Sequence, residues 1–177
     1  MHGARAPRGT STSGTVLAGL APVVGRNTRL VVLGSFPSVL SLAAQQYYAH
    51  PRNQFWPLLS ALFGVDLRLL PYPKRLIEVR RRGLGIWDVY ATCRRQGSLD
   101  SNIEQAVAND LASLCRIAPR LVAVAHNGGE SARFARVTAA LGVTVYRLPS
   151  SSPANASYTF ARKLDRWRAV FRAVGLI

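Results

Sequence analysis

Four short apolar runs constrain the fold of this chain more than any other feature: RLVVLGS (29–35), GIWDVY (85–90), RLVAVAH (120–126) and VTVYRLP (143–149). Each is too short and too continuously aliphatic for a surface helix, and each runs into a glycine-rich, proline-rich or polar stretch, as buried strands do. Between them lie segments with helical spacing over 38–47 and 54–63, a basic one over 73–83 stopped by Gly83, and a final amphipathic one over 155–174. SLDSNIEQAVANDLASLC (98–115) predicts a further helix, with Ser101 as N-cap and Glu104 three residues on, and GGESARFARVTAAL (128–141) another. Strands alternating with helices in this way predict a three-layer α/β/α sandwich around a central, mainly parallel four-stranded sheet.

Sheets of that kind bind ligands beyond the carboxyl ends of their strands, at the point where the strand order switches. Four sequences fall at such ends: GSFPS (34–38), DVYATCRR (88–95), HNGGES (126–131) and LPSSSPAN (148–155). All are polar or rich in glycine or proline, where a plain connector has no such requirement.

The 177 residues fit one domain, expected over 18–177 behind a flexible basic leader at 1–17, with the folded part starting near Leu20. Lys and Arg number 23 against 8 Asp and Glu, a formal charge of +15, which calls for a polyanionic partner. Lys74 and Lys163 are the only lysines, so genomic bias accounts for arginine over lysine, though not for the scarcity of acids. No apolar run approaches the roughly 20 residues that span a bilayer, and no signal peptide is visible, so a cytoplasmic protein without a membrane partner is expected. Cys93 and Cys115 stand apart from any CxxC pair, which excludes a cysteine-built zinc or iron–sulfur site. They read as reduced and structural; no metal and no organic cofactor is expected.

One stretch does not read as ordinary core. YYAHPRNQFW (47–56) crowds aromatic rings beside a histidine, an arginine and an asparagine, next to Pro51 and Pro57. Taken in order, GSFPS, YYAHPRNQFW, GLGIWDVYATCRRQGSLDSNI and LPSSSPAN resemble the uracil-DNA glycosylase superfamily over roughly residues 20 to 175. The pattern is most similar to the hypoxanthine-DNA (deoxyinosine) glycosylase branch, near the mismatch-specific thymine and uracil glycosylases. The resemblance implies a monofunctional glycosylase that hydrolyses the bond between sugar and a deaminated base flipped out of DNA, hypoxanthine first and uracil second. The implied protein is a monomer associated with the nucleoid.

Such chemistry needs a pocket that holds the base, a group that reads its edge and a positioned water. The resemblance gives Phe55 the stacking role and places Tyr48, with Tyr47, at the pocket wall; ordinary core is the competing reading of these rings and the preferred one for Trp56. The third residue of the first motif is Asp or Asn in most of the superfamily, where it positions the water, and here it is Phe36. In the resembling branch that role passes to the position of Asn53, which is equally suited to capping the next helix. Asp88 falls where relatives read the base edge, with backbone amides at Ser35 and Phe36 beside it; a salt bridge to an arginine in the 90s is the alternative. His50 is a candidate donor to the departing base, or a plain surface histidine. Asn127 and Gly128 are expected to bind phosphate at a helix start. In the stiff serine loop, Ser150, Ser151, Ser152 and Pro153 are expected to press on the backbone, with Ala154 or Asn155 entering the gap left by the base. A hydrolase of free nucleosides and a non-catalytic binder of damaged DNA are the rival functions; both lysines lie outside these loops, which argues against imine chemistry.

Overall fold

The computed structural model describes residues 15–177. The strands are β1 (Leu17–Ala18), β2 (Leu30–Gly34), β3 (Leu84–Asp88), β4 (Tyr90–Arg94), β5 (Glu104–Ala108), β6 (Ala123–Asn127) and β7 (Thr144–Leu148). The helices are α1 (Val39–Ala44), α2 (Phe55–Phe63), α3 (Tyr72–Arg81), α4 (Ser113–Ile117), α5 (Gly129–Ala132), α6 (Ala135–Ala139) and α7 (Phe160–Ala173).

The four apolar runs build one parallel sheet in the order β3-β2-β6-β7. Its two faces follow from the period of two along each strand. Leu30, Val32, Leu84, Ile86, Ala123 and Ala125 face a core supplied by α2, α3 and α7, among them Leu58, Leu59, Val79, Trp167 and Phe171. Val31, Leu33, Trp87 and Val124 face the other way, against Phe36, Leu114 and Phe134. β2, β3 and β6 are buried on both faces and have no polar positions to alternate, which is why their runs read as continuous hydrophobic sequence, whereas the edge strand β7 exposes Thr144 and Arg147. Trp56 is core as expected, its indole N–H donating to the Tyr47 carbonyl at 3.0 Å.

Four expectations differ from the structure. The helix over 98–115 is absent: Asp100–Asn102 makes a single 3-10 turn, Glu104–Ala108 is β5, and only Ser113–Ile117 is α-helical. The cause is tertiary. β4 continues past the end of β3 and pairs with β1 on one side and β5 on the other, forming a small antiparallel sheet, and that ladder overrides local helix preference. The helix over 128–141 is broken into the short α5 and α6, and the last helix starts at Phe160 instead of 155, capped by the Thr159 side chain on the Arg162 N–H. Finally, Leu17 already pairs with Cys93, so regular structure begins ahead of Leu20; the rest of the expected leader through residue 14 lies outside the described residues. No helix among the described residues is long and apolar enough to cross a membrane.

The strand order places β2 centrally, with β3 on one side and β6 on the other. The chain therefore reverses direction across the sheet after β3, and a crevice opens at the carboxyl ends beside β2.

Candidate active site

That crevice holds a cavity of about 530 Å³. Gly34, Asp88, Asn127 and Leu148, the last residues of the four parallel strands, all line it. The loops that follow them complete the wall: Ser35 and Phe36 after β2, Ser98 to Ser101 beyond β4, Gly128 after β6, and Ser150 to Ser152 with Ala154 and Asn155 after β7. Tyr47, Tyr48 and Asn53 close it from the aromatic segment. Three expected site residues, His50, Phe55 and Pro153, are not on the wall.

Phe55 corrects the sequence reading most sharply. Its ring is fully buried, and Tyr48 stacks on it with centroids 3.8 Å apart and planes 16° from parallel. Trp56 and Trp167 meet it edge-on. A base has no open face of Phe55 to lie on; the rings that reach the cavity are Tyr47, Tyr48 and Phe36, the last expected from the sequence to offer only its backbone amide. Tyr48 has φ 55°, in the left-handed region that a tyrosine rarely adopts, and this holds its ring between Phe55 and the site. Phe36 is 6% exposed and carries the Arg95 guanidinium 5.1 Å from its centroid.

Asn53 lines the cavity, and its Oδ1 also accepts the Phe55 N–H at 2.9 Å. The N-cap of α2 is Gln54, which has no side-chain cap, so the Asn53 bond is a local turn one residue ahead of the cap position that holds the amide at the edge of the site. His50 lies outside the wall with its Nδ1 accepting the Arg52 N–H at 3.1 Å, so it donates to nothing in the cavity.

Asp88 is 4% exposed, and its Oδ2 has no hydrogen-bond partner. Burial first, and then the Asp100 carboxylate, push its carboxyl up to about 7, while Arg95 pulls the other way. Near neutral pH the group is divided between acid and carboxylate, so it donates as well as accepts, a wider range than its residue type alone implies. Asp100 was not singled out from the sequence: it stands opposite GSFPS, its Oδ1 taking the Ser35 hydroxyl at 2.6 Å. The one hint was an acid among so few, in a run of small polar residues.

Part of the expected phosphate machinery is spent internally. Asn127 donates from Nδ2 to the Ser151 hydroxyl at 2.9 Å and to the Tyr48 hydroxyl at 3.2 Å, and its Oδ1 accepts the Ser151 N–H at 2.9 Å. Ser151 is fully buried and its carbonyl takes the Gln54 N–H. Neither side chain is presented to a phosphodiester; both tie the serine loop to β6 and to the aromatic segment. The Gly128 N–H is engaged by the His126 and Leu148 carbonyls, and α5 behind it is a single turn, too short for a helix-dipole anion site. Gly128 instead has φ 105°, and a Cβ there would meet the Ser150 Cβ at 3.0 Å. Ser150 and Ser152 are partly exposed and accept local N–H groups, leaving their hydroxyl protons to donate.

The loop is also held from behind. Trp167 donates to the Pro149 carbonyl at 3.2 Å, Asn155 Nδ2 to the Ser150 carbonyl at 3.2 Å, and buried Lys163 to the Asn155 carbonyl at 3.0 Å. Lys163 thus touches the loop without lining the cavity. Buried His126 is structural too: Ser131 and Thr138 hydroxyls sit 2.8 Å from its two ring nitrogens, and burial, helped by Arg147, pulls its pKa down to about 4. No group of His, Cys, Asp or Glu among the described residues is placed to hold a metal ion.

Comparison with known proteins gives the family and agrees with the fold. Residues 21–173 match the family described as the uracil DNA glycosylase superfamily. Proteins named hypoxanthine DNA glycosylase in Methanosarcina barkeri and in Methanosarcina acetivorans are each 36% identical to the chain over 154 residues, which is 87% of this chain and 97% of theirs. A solution NMR structure of a candidate uracil DNA glycosylase from Methanosarcina acetivorans superimposes with a TM-score of 0.82 at 34% identity, covering 91% of this chain and 99% of that one.

Proposed function

The chain belongs to the uracil DNA glycosylase superfamily and is a DNA glycosylase, and from that premise we propose that it releases hypoxanthine, and uracil second, from DNA by simple hydrolysis. The observation that carries the choice of base is Asp88, a buried carboxyl group on the cavity wall with one oxygen unpaired. A buried polar atom without a partner is costly, and a base edge bearing an N–H satisfies it. Hypoxanthine offers N1–H and uracil N3–H, whereas the N1 of adenine is an acceptor and meets the carboxylate form with repulsion. Asp88 suits both bases alike, and relatives named for hypoxanthine support putting that base ahead of uracil.

In this reading the target nucleotide swings out of the stack and its base enters between Tyr48 and Phe36, with Asp88 at the edge. Asn53 orients the attacking water beneath the anomeric carbon, contributing position more than basicity. Its pinned amide suits that task. With Phe36 at the usual water-positioning place, no other amide from the aromatic segment lines the cavity. Ser150 and Ser152 donate to the strand, and Ala154 or Asn155 occupies the gap left by the base. The lysine that approaches the site is committed to the Asn155 carbonyl, which favours hydrolysis over imine formation. The product is an abasic site, made by a monomer in the cytoplasm at the nucleoid.

A panel of otherwise identical oligonucleotides, each carrying one modified base, tests the reading, with free inosine alongside. Hypoxanthine released from DNA ahead of uracil, and none from inosine, is the expected result. Release from free inosine at a comparable rate would make the protein a nucleoside hydrolase instead.

A further inference from the structure

The base cavity leaves much of the basic surface unexplained. Beside it lies a second groove of about 520 Å³ whose walls include Arg133, Arg136, Arg147, Arg166 and Tyr158. The two depressions share Gly128, Gly129, Leu148 and Pro149, so they meet along a rim made by the ends of β6 and β7. The four arginines come from the α5–α6 turn, from α6, from β7 and from α7, and the fold alone brings them together. All are exposed. Arg133 is paired with Glu130 at 3.1 Å, while among the described residues no ion pair engages Arg136, Arg147 or Arg166. Arg162 adds another guanidinium, 5.1 Å from the centre of the Tyr158 ring.

Like charges gathered in one concavity repel, and they focus a field that draws in an anion. Guanidinium groups present paired donors that match phosphate oxygens. We propose that this groove carries the phosphates of the same DNA strand whose extruded base fills the cavity, the backbone crossing the shared rim at Gly128 and Pro149. The proposal rests on the glycosylase reading and extends it from a base pocket to a strand path. A free nucleoside has no use for the groove; a strand continuing past its extruded nucleotide does.

The test compares three triple variants for binding to a 15-base-pair duplex containing a stable abasic-site analogue, measured by fluorescence anisotropy across a salt series. In Arg136→Ala/Arg147→Ala/Arg166→Ala, three lost phosphate contacts should flatten the slope of log K against log salt by up to about 2.7, at roughly 0.9 per contact. The corresponding Arg→Lys triple keeps the charge and should keep most of the slope. Arg80→Ala/Arg81→Ala/Arg120→Ala removes equal charge near the amino ends of the strands, away from the cavity, and should leave the slope close to wild type. Melting temperatures verify folding, and single Arg→Ala variants, each expected to lose about 0.9 of slope, replace the triple if it does not fold. Equal slopes for the groove and distant triples overturn the assignment while hypoxanthine release by the wild-type enzyme leaves the glycosylase reading intact. A wild-type enzyme that releases no base from deoxyinosine DNA overturns that reading, and the strand path with it.

Discussion

Gly34 and Asp88 sit in register as the last residues of β2 and β3, and a Cβ on Gly34 would fall 2.3 Å from Asp88 Oδ1 and 3.1 Å from the Tyr48 hydroxyl. The missing side chain is what lets a carboxyl group and a phenol share the floor of the cavity. Gly34→Ala should therefore displace both groups, lowering stability by about 1–3 kcal/mol as overpacking does and base release by more than the loss of folded protein accounts for. Urea unfolding and single-turnover release on the same preparation separate the two effects. A fully active Gly34→Ala enzyme would show that neither Asp88 nor Tyr48 needs its present place.

Asp88 predicts a pH dependence of stability with a definite sign. In the unfolded chain its carboxyl titrates near the ordinary value of about 3.9, and in the fold it is pushed up to about 7 by burial and by Asp100. The native state then binds more protons than the unfolded state between those values, so stability is lost as pH rises through that window. Asp88→Asn, which carries no charge, should gain in melting temperature relative to wild type from pH 5 to pH 8. Base release by the wild type should climb through pH 7 as the carboxylate forms, and the variant should lack that step.

The same substitution bears on base reading. An amide accepts from an N–H and donates to the carbonyl beside it, a pair that hypoxanthine (N1–H, O6) and uracil (N3–H, O4) both offer, so Asp88→Asn should retain release of both bases while Asp88→Ala loses both. Hypoxanthine and uracil release from matched duplexes gives the comparison. Undiminished release of both bases by Asp88→Ala would transfer base reading to the backbone amides of Ser35 and Phe36.

Asn53 accepts the first helical N–H of α2 in a local turn and lines the cavity, and Asn53→Ala should show both losses in different measurements. Stability should fall by about 1 kcal/mol, while base release should fall at least a hundredfold with binding of abasic-site DNA nearly preserved. A variant that is merely less stable would leave Asn53 with the turn contact alone.

Asn127 joins three segments through Ser151 and Tyr48. Its replacement by Ala leaves buried polar groups of Ser151 unpaired and should cost about 2–4 kcal/mol. Hydrogen exchange should rise at the amides of 150–155, localising the loss to the serine loop.

β2, β3 and β6 were legible because a doubly buried strand has to be continuously apolar, β7 because its short β-branched and aromatic run ends at a proline, and the cavity was legible because its wall is formed where those strands end. What the sequence hid is long-range. The segment from Glu104 to Ala108 carries helix-like spacing and became a strand only because β4 offered it an edge. Phe55 and Tyr48 are both aromatic neighbours of the same prolines, and nothing local tells which ring covers the other. Asn127 and Ser151 read as ligand-facing polar residues until their mutual bonds are seen, and Asp100 acquires meaning only opposite Ser35.

The central claim is that the cavity at the strand ends releases hypoxanthine from DNA by hydrolysis. Its most direct test is a single-turnover reaction with enzyme in excess over a duplex containing one deoxyinosine, following free hypoxanthine by chromatography and strand scission on a gel. The account predicts stoichiometric free hypoxanthine and an abasic strand that breaks only after alkali. Tight binding of the duplex with no hypoxanthine released at any enzyme excess would contradict it.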